Sequence, residues 1–249
     1  MSPRGGGWLL AVALLAAACG GEDGAPGAPE IAMVFAASSL TGPFSELGEM
    51  LKEDEEAEVR FNFLSSSDLA TQIEQGASAD VFASADETNM QRVVDAGVAE
   101  GAPEVFARNR LAIAVRPGNP EGIGSLADLA DEGLVVSLCN GECPAGQYAR
   151  AALDAAGVEV EPDSLESEVK AVITRVATGE ADAGIVYATD VIAADGEVEG
   201  VDIPPGENVI ATYPIVVLES APAAGRAFVD LVTSPEGRRV LARYGFRPR

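Results

Sequence analysis

Histidine is absent from this chain of 249 residues, and lysine occurs only twice, as Lys52 and Lys170. A Ser-His-Asp triad and a His-ligated metal centre are therefore excluded, and a Ser-Lys nucleophile has few options. The 40 acidic residues leave carboxylate-pair chemistry possible in principle. Because no spacing among them singles out such a pair, the composition disfavours an enzyme without excluding one.

Basic and aromatic side chains are also scarce. Lys and Arg together number 16 against 40 Asp and Glu, so the formal net charge is −24 at pH 7. Nucleic-acid binding needs a basic surface and is disfavoured, whereas an acidic surface keeps a protein soluble. One Trp, four Tyr and eight Phe provide little for the exposed aromatic patch of an adhesion or sensor protein.

The sequence has no apolar run long enough to cross a bilayer as a stable helix. Residues 8–18 form an uncharged apolar run that follows the basic Arg4, as in the h-region of a signal peptide. The run ends in small residues before Cys19, which predicts a lipoprotein signal peptide over residues 1–19 with a lipidated Cys19. Ordinary secretion with cleavage near Ala18 is the alternative. Residues 20–29 are rich in Gly, Pro and Ala and are predicted to be a flexible tether.

Cys139 and Cys143 remain if Cys19 carries lipid. Export would place them in an oxidising compartment, where a disulfide between them is predicted. The loop that they close is short, so the bond would stabilise the fold by only about 2 kcal/mol. Its predicted role is to fix the shape of the loop before Pro144. A zinc site is disfavoured because the chain has no His and no further Cys nearby.

Strand-like and helix-like segments alternate along the chain, and an apolar fraction of 47% predicts a packed globular body. Residues 31–35, 59–63 and 80–85 have strand patterns, and each is followed by a helical pattern. This order predicts an α/β fold with a parallel sheet. A second series of the same kind runs from Leu111 to Tyr187, and a strand at 209–218 with two helices closes the chain.

Polar groups follow several of these strands, at points where a helix begins. They are Ser38-Ser39, with Ser39 predicted as a helix cap, Ser65-Ser66-Ser67 and the Pro144-Ala145-Gly146 turn. Ligands of open α/β sheets bind at the carboxyl ends of strands, where helix N-termini offer free N–H groups and favour anions. The pattern therefore indicates a site for a small oxyanion held by neutral donors, although a single Ser at a helix start is more simply a cap.

Six segments together resemble the periplasmic molybdate-binding proteins of ABC transporters. They are VFAASSLT at 34–41, SSSDLATQIEQG at 65–76, ADVFASAD at 79–86, PAGQYA at 144–149, GIVYATD at 184–190 and RYGF at 243–246. Each segment alone is a weak to moderate signal, but their order and spacing are specific. The resemblance covers about residues 31–249.

The resemblance implies the two-lobed periplasmic-binding-protein fold of type II, with a ligand cleft between lobes that are joined by two crossing strands. The first lobe would contain residues 30–111 together with 219–249. The second would contain residues 112–218, including the strand that returns through the hinge.

The resemblance also implies a set of ligand-binding residues. These are the hydroxyl groups of Ser39, Ser66 and Tyr187 and the backbone N–H groups of Ala145 and Val169. The neighbouring Ser38 is the alternative to Ser39 in register. From the residues alone, Ala145 and Val169 would be assigned to a turn and to the core, and Tyr187 could equally be core. Lys170 and Arg175 are expected to face solvent, because the family that the chain resembles does not use a cation at the ligand. Glu142 is also expected to face solvent, because a carboxylate turned inward would repel an anion.

The implied function is capture of molybdate or tungstate by neutral hydrogen bonds and delivery to the permease of an ABC transporter. The protein would be an extracytoplasmic monomer, held at the membrane only by its lipid, with no cofactor, no catalytic residue and no metal site other than the oxyanion. A sulfate- or phosphate-binding protein is the alternative, and an enzyme on the same scaffold is a weaker one. Phosphate carries a proton and would need a buried acceptor, whereas molybdate and sulfate would not.

Overall fold

The computed structural model describes residues 31–55 and 57–248. The predicted signal peptide, Cys19 and the tether lie outside these residues. Within them, no helix is both long enough and apolar enough to span a membrane.

The described part of the chain contains ten β-strands. They are β1 (Ile31–Ala37), β2 (Glu58–Leu64), β3 (Val81–Ala83), β4 (Ala99–Val115), β5 (Val136–Cys139), β6 (Ser164–Glu166), β7 (Ala183–Tyr187), β8 (Glu199–Asp202), β9 (Ile210–Leu218) and β10 (Arg247–Pro248). The same residues form eight α-helices: α1 (Thr41–Glu55), α2 (Ser66–Glu74), α3 (Glu87–Asp95), α4 (Pro144–Ala156), α5 (Val169–Thr178), α6 (Ala188–Ala193), α7 (Ala223–Thr233) and α8 (Pro235–Arg243). Short 3-10 helices occupy Ser38–Leu40 and Leu126–Ala130.

The strands form one mixed sheet in the order β2-β1-β3-β9-β4-β7-β5-β6, and β8 and β10 also pair with β4. β1 is parallel to β2 and β3, and β5 is parallel to β6 and β7, as strand–helix alternation predicts. The parallel pairing predicted from strand–helix alternation does not extend to β4 and β9. β9 runs antiparallel to β3 and β4, and β4 runs antiparallel to β7. β3 and β4, which α3 connects, run in the same direction, and β9 lies between them antiparallel to both.

β4 belongs to both halves of this sheet. Its residues 99–110 pair with β9, whereas Leu111–Val115 pair with β7 and the last four of them also with β8. The sequence pattern predicted only Leu111–Val115 as a strand. The preceding residues contain Gly101, Pro103 and several charges and lack the alternation that identifies a strand. The halves are those of a two-lobed α/β fold.

The first half is packed around Phe44 of α1, which is fully buried. Its ring lies 5.1 Å from that of Phe228 in α7 and 5.8 Å from that of Phe106 in β4. Phe61 of β2 completes the group, with ring centroids 6.3 Å from Phe44 and 5.5 Å from Phe228. The C-terminal helix α7 therefore returns to the half of the sheet in which the described chain begins.

Truncation of Phe44 tests the importance of this packing. Phe44→Ala should lower the free energy of unfolding by about 3–5 kcal/mol, because a buried ring with three aromatic neighbours leaves a cavity. Urea denaturation followed by circular dichroism measures the loss. Leu165→Ala is the control, since Leu165 is 53% exposed and such substitutions change stability by only about 0.5 kcal/mol. Equal losses in the two variants would contradict the assignment of the core.

Candidate functional site

A small cavity lies where β1 and β7 end and where α2, α4 and α5 begin. Its lining consists of Ala37, Ser38, Ser39, Ser65, Ser66, Ala85, Cys143, Pro144, Ala145, Val169 and Tyr187. All five residues that the resemblance implied as ligands are thus brought together. Among the described residues, no charged side chain lines this cavity.

Two helix N-termini bring backbone donors to the cavity. Pro144 is the first residue of α4, as predicted, and has no N–H, so Ala145 supplies the first donor of that helix. Val169 is the first residue of α5 and follows Glu168 in extended conformation. The N–H groups in the first turn of a helix have no partner within the helix, and they carry partial positive charge. Ala145 and Val169 are buried and have apolar side chains, so the backbone N–H is the only donor that either residue can bring to the cavity.

Ser66 lies at the start of α2, where neighbouring groups determine the role of each hydroxyl. Ser65 is the N-cap, and its Oγ accepts the N–H of Asp68 at 3.2 Å. Ser66 Oγ accepts the N–H of Ala85 at 2.9 Å and is almost fully buried. Because this N–H occupies an acceptor site of Ser66 Oγ, the hydroxyl proton is free to be donated into the cavity.

Ser39 does not have the capping role that the sequence predicted. The 3-10 turn begins one residue earlier, at Ser38, so its N-cap is Ala37 and no side chain caps it. Thr41 Oγ1 donates to the carbonyl oxygen of Ser38 at 2.7 Å. Ser39 Oγ instead lies 3.1 Å from the hydroxyl of Tyr213. Ser38 and Ser39 both line the cavity, but only Ser39 has its hydroxyl in this contact.

Tyr187 ends β7 with its side chain 1% exposed. Within the described residues its hydroxyl has no hydrogen-bond partner. Burial raises the pKa of Tyr187 well above its usual value, so the group is a neutral donor. Its ring is held between those of Tyr148 and Tyr213, with centroids at 6.4 Å and 5.8 Å. A buried hydroxyl without a partner costs free energy that a bound acceptor would recover.

A second layer of residues behind the cavity was missed by the sequence reasoning. Tyr213 of β9 contacts Ser39, and Asn109 of β4 donates through Nδ2 to the Tyr213 hydroxyl at 3.4 Å. Asn109 Nδ2 also donates to Thr189 Oγ1 at 2.8 Å. The signal that could have found them is a polar residue in a buried strand. Asn109 lies in the part of β4 that the sequence pattern did not identify as a strand.

The loop before α4 contains the two cysteines that were predicted to pair. The structure pairs Cys139 with Cys143, whose Cα atoms are 5.9 Å apart, within the range of a disulfide. Asn140 Oδ1 accepts the N–H groups of Glu142 and Cys143 at 3.0 Å. Glu142 is exposed, as expected, so its carboxylate does not oppose an anion in the cavity.

Lys170 follows Val169 and is exposed, as predicted, but its ammonium group does not project freely into solvent. Nζ donates to Thr41 Oγ1 at 2.6 Å, which joins α5 to α1 beside the cavity. Partial desolvation lowers the pKa of Lys170, and the carboxylates of Asp190 and Glu168 oppose this shift. Lys170 lines a larger, open groove that shares Ser38 and Ser39 with the cavity.

Asp190 is a buried carboxyl group directly behind Tyr187. Its Oδ2 accepts the N–H of Tyr187 at 3.2 Å and so fixes the end of β7. Burial raises the pKa of Asp190 to about 7, against the Tyr187 hydrogen bond and the charge of Lys170, both of which lower it. The group is therefore partly protonated near neutral pH, which reduces negative charge close to the cavity.

Comparison with known proteins establishes the family. The bacterial extracellular solute-binding proteins match residues 32–247, and the chain belongs to this family. The molybdate-binding protein ModA of Mycobacterium bovis is 44% identical over 217 residues, which cover 86% of this chain and 83% of the relative. The Escherichia coli protein of the same name is 31% identical over 226 residues, which cover 86% and 87%. The predicted resemblance to periplasmic molybdate-binding proteins is thereby confirmed.

Solved structures agree with the fold. The periplasmic molybdate-binding protein of Azotobacter vinelandii superposes with a TM-score of 0.74 at 22% identity, and the match covers 88% of this chain and 99% of that one. A substrate-binding domain of a molybdenum ABC transporter from Clostridium difficile gives a TM-score of 0.66 at 23% identity, with 88% and 99% covered. The predicted two-lobed periplasmic-binding-protein fold is confirmed.

Replacement of Asp190 by Asn should alter the pH dependence of stability. The pKa of about 7 exceeds the usual 3.8, so between these values the folded state holds a proton that the unfolded state has released. The free energy of unfolding of the wild type should therefore fall as pH rises through this window, by up to about 4 kcal/mol. Asp190→Asn removes this titration and keeps an amide oxygen for the Tyr187 N–H.

Thermal unfolding at pH 4.5, 6 and 8 measures the effect. The melting temperature of Asp190→Asn should rise relative to the wild type as pH increases. Asp154→Asn, at an exposed position of α4, is the control and should follow the wild type. Parallel curves for Asp190→Asn and the wild type would show that Asp190 does not titrate in this range.

Proposed function

We propose that this chain captures molybdate or tungstate in the small cavity at the ends of β1 and β7 and delivers it to the permease of an ABC transporter. The cavity would lie between a first lobe, residues 30–111 with 219–249, and a second lobe, residues 112–218. The observation that carries the proposal is the buried Tyr187 hydroxyl, which has no partner within the described residues and lines a cavity without charged side chains.

The donors proposed for the anion are all neutral. They are the hydroxyl groups of Ser39, Ser66 and Tyr187 and the N–H groups of Ala145 and Val169. A tetrahedral oxyanion without protons only accepts hydrogen bonds, which suits a lining of this kind. In a dry cavity each bond is electrostatically stronger than in water, and the two helix N-termini add partial positive charge. A site of this kind needs no cationic side chain, no cofactor and no catalytic residue.

The choice among oxyanions rests on two observations. Two curated relatives with more than 30% identity are named for molybdate. The described lining also offers no carboxylate that could accept a proton from hydrogen phosphate. Sulfate has no proton to donate, but it is smaller than molybdate and would leave some of the donors unpaired. Release would follow when the permease recognises the closed lobes, which the ligand stabilises by its greater affinity for that form.

The paired cysteines fit the same function. We propose that Cys139 and Cys143 form a disulfide that holds the loop before Pro144 and so fixes the direction of the Ala145 N–H. The loop also keeps Glu142 at the surface. The bond would act mainly on local geometry, because a loop closed over a sequence separation of 4 contributes only about 2 kcal/mol of chain entropy.

Localisation follows from the N-terminal segment. We propose that residues 1–19 direct export, that Cys19 is lipidated and that residues 20–29 tether the folded body. The protein would act as an extracytoplasmic monomer close to its permease. A lipid anchor with a short flexible tether confines the protein near the membrane and raises the effective concentration at the transporter.

Calorimetric titration with molybdate, tungstate, sulfate and phosphate tests the ligand. We expect tight binding of molybdate or tungstate to the chain and weaker binding of sulfate and phosphate. Ser66→Ala combined with Tyr187→Phe should weaken molybdate binding at least about 100-fold, because two hydrogen bonds to a charged ligand are lost. Ser78→Ala combined with Tyr244→Phe removes the same atoms outside the cavity and should leave affinity unchanged.

Two outcomes would oppose this proposal. Tight binding of sulfate without binding of molybdate would assign another oxyanion to the site. Unchanged molybdate affinity in the Ser66 and Tyr187 variant would show that the anion binds elsewhere. Circular dichroism and thermal unfolding of each variant separate a lost donor from a lost fold.

Detergent partitioning tests the lipid anchor. In a bacterial host that processes lipoproteins, the chain should enter the detergent phase of Triton X-114, and Cys19→Ser should remain in the aqueous phase. Acyl chains on Cys19 supply the apolar surface that drives this transfer. If the unaltered chain also remains in the aqueous phase, ordinary secretion with cleavage near Ala18 is the better explanation.

A further inference from the structure

The hydroxyl of Tyr213 lies within a buried chain of hydrogen bonds behind the cavity. Tyr213 is fully buried in β9, and its hydroxyl oxygen is 3.1 Å from Ser39 Oγ and 3.4 Å from Asn109 Nδ2. Asn109 is equally buried in β4. Its Nδ2 also donates to Thr189 Oγ1 at 2.8 Å. Tyr213 on β9 thus contacts the proposed ligand residue Ser39 from behind, and Asn109 on the neighbouring strand β4 contacts Tyr213.

The direction of these bonds follows from their chemistry. Asn109 Oδ1 accepts the N–H of Arg110 at 2.9 Å, so the amide nitrogen must face Tyr213 and Thr189. An amide nitrogen can only donate, so the Tyr213 oxygen accepts from it. Burial raises the pKa of Tyr213, so the phenol keeps its proton. That proton has Ser39 Oγ as its neighbour.

These bonds also bear on the direction in which the hydroxyl proton of Ser39 points. If Tyr213 donates to Ser39 Oγ, an acceptor site of that oxygen is occupied on the side facing the protein. The Ser39 proton is then available on the other side, where the residue lines the cavity. The same arrangement occurs at Ser66, whose Oγ accepts the N–H of Ala85. Both serines are therefore donors toward the cavity.

We propose that Tyr213, oriented by Asn109, is a positioning and specificity-determining residue that fixes Ser39 as a donor and so selects oxyanions that carry no proton. This inference rests on the proposed function of the cavity. Hydrogen phosphate would direct its own proton at hydroxyl groups that already accept one hydrogen bond from the protein and turn their own proton toward the cavity. Molybdate, tungstate and sulfate bring acceptors only, and they match the arrangement.

Tyr213→Phe separates this role from a merely structural one. The ring and its packing on Tyr187 and Phe246 remain, with centroids at 5.8 Å and 5.2 Å, and only the hydroxyl is lost. Molybdate affinity should fall about tenfold, because Ser39 loses its fixed orientation. Without Tyr213 as a partner, Ser39 Oγ can also accept a hydrogen bond from hydrogen phosphate. The ratio of molybdate affinity to phosphate affinity should therefore fall about tenfold. The ratio of molybdate to sulfate should stay constant, since neither ion carries a proton at pH 8.

The measurement is competition calorimetry at pH 8 with sodium molybdate, sulfate and phosphate. Tyr244→Phe is the matched control and should keep both ratios. In a Ser39→Ala background, Tyr213→Phe should not change the phosphate ratio further, because Tyr213 acts through Ser39. Asn109→Asp is a second test of the orientation of Tyr213. An aspartate cannot donate to Tyr213, so the phenol would donate to Asp instead, and discrimination against phosphate should again fall.

The outcomes distinguish this inference from the proposed function. An unaltered chain that binds none of the three anions would remove the proposed function itself. If the unaltered chain binds molybdate but Tyr213→Phe and Asn109→Asp both keep the phosphate ratio, Tyr213 does not set specificity. An equal change in the phosphate and sulfate ratios would also overturn the inference, since a general loosening of the cavity has that effect. Should Tyr213→Phe fail to fold, the Asn109→Asp ratios decide alone.

Discussion

A dianion in a cavity lined by neutral groups must be stabilised by the direction of hydrogen-bond donors, because no countercharge is present among the lining residues. Transfer of such an ion from water is costly unless most of its lost hydrogen bonds are replaced. Each donor therefore has to be fixed before the ligand arrives. The fold can fix the proposed donors in two ways: Ala145 and Val169 lie at helix starts, and buried partners contact the hydroxyl groups of Ser39 and Ser66.

The same constraint explains how a strongly acidic protein can have an anion site. A net charge of −24 acts over the whole surface and is screened by salt beyond about 10 Å. Local groups decide the energy in the cavity. Asp190, the nearby carboxyl group behind Tyr187, has a pKa raised to about 7 by burial, and Lys170 lies close enough to lower that pKa. Glu142 stays at the surface of its loop. Solubility and anion binding are therefore served by different parts of the molecule.

Some features of the fold and site followed from the sequence because they are encoded locally. Pro144 defines a helix start by its fixed φ and its missing N–H, and the structure begins α4 at that residue. The parallel pairing of β1 with β2 and β3 follows from strand–helix alternation. Ser39 shows the limit of this reasoning. A shift of one residue in the 3-10 turn transfers the cap to Ala37 and leaves the Ser39 hydroxyl for Tyr213.

Tyr213 and Asn109 could not be found in the same way, because their meeting depends on pairing between segments about a hundred residues apart. Residues 99–110 carry too many breakers and charges to be identified as a strand, and their pairing with β9 and β10 defines them as one. This pairing also links the two halves of the molecule. Ser39 and Ser66 belong to the half that contains β1, whereas Ala145, Val169 and Tyr187 belong to the half that contains β7. Asn109, on the strand shared by both halves, contacts Thr189 in α6, just after β7, and Tyr213 behind Ser39. The proposed donor Ser39 in one half is therefore linked through Tyr213 and Asn109 to Thr189 in the other, and the complete set of proposed donors exists only when the two halves are together.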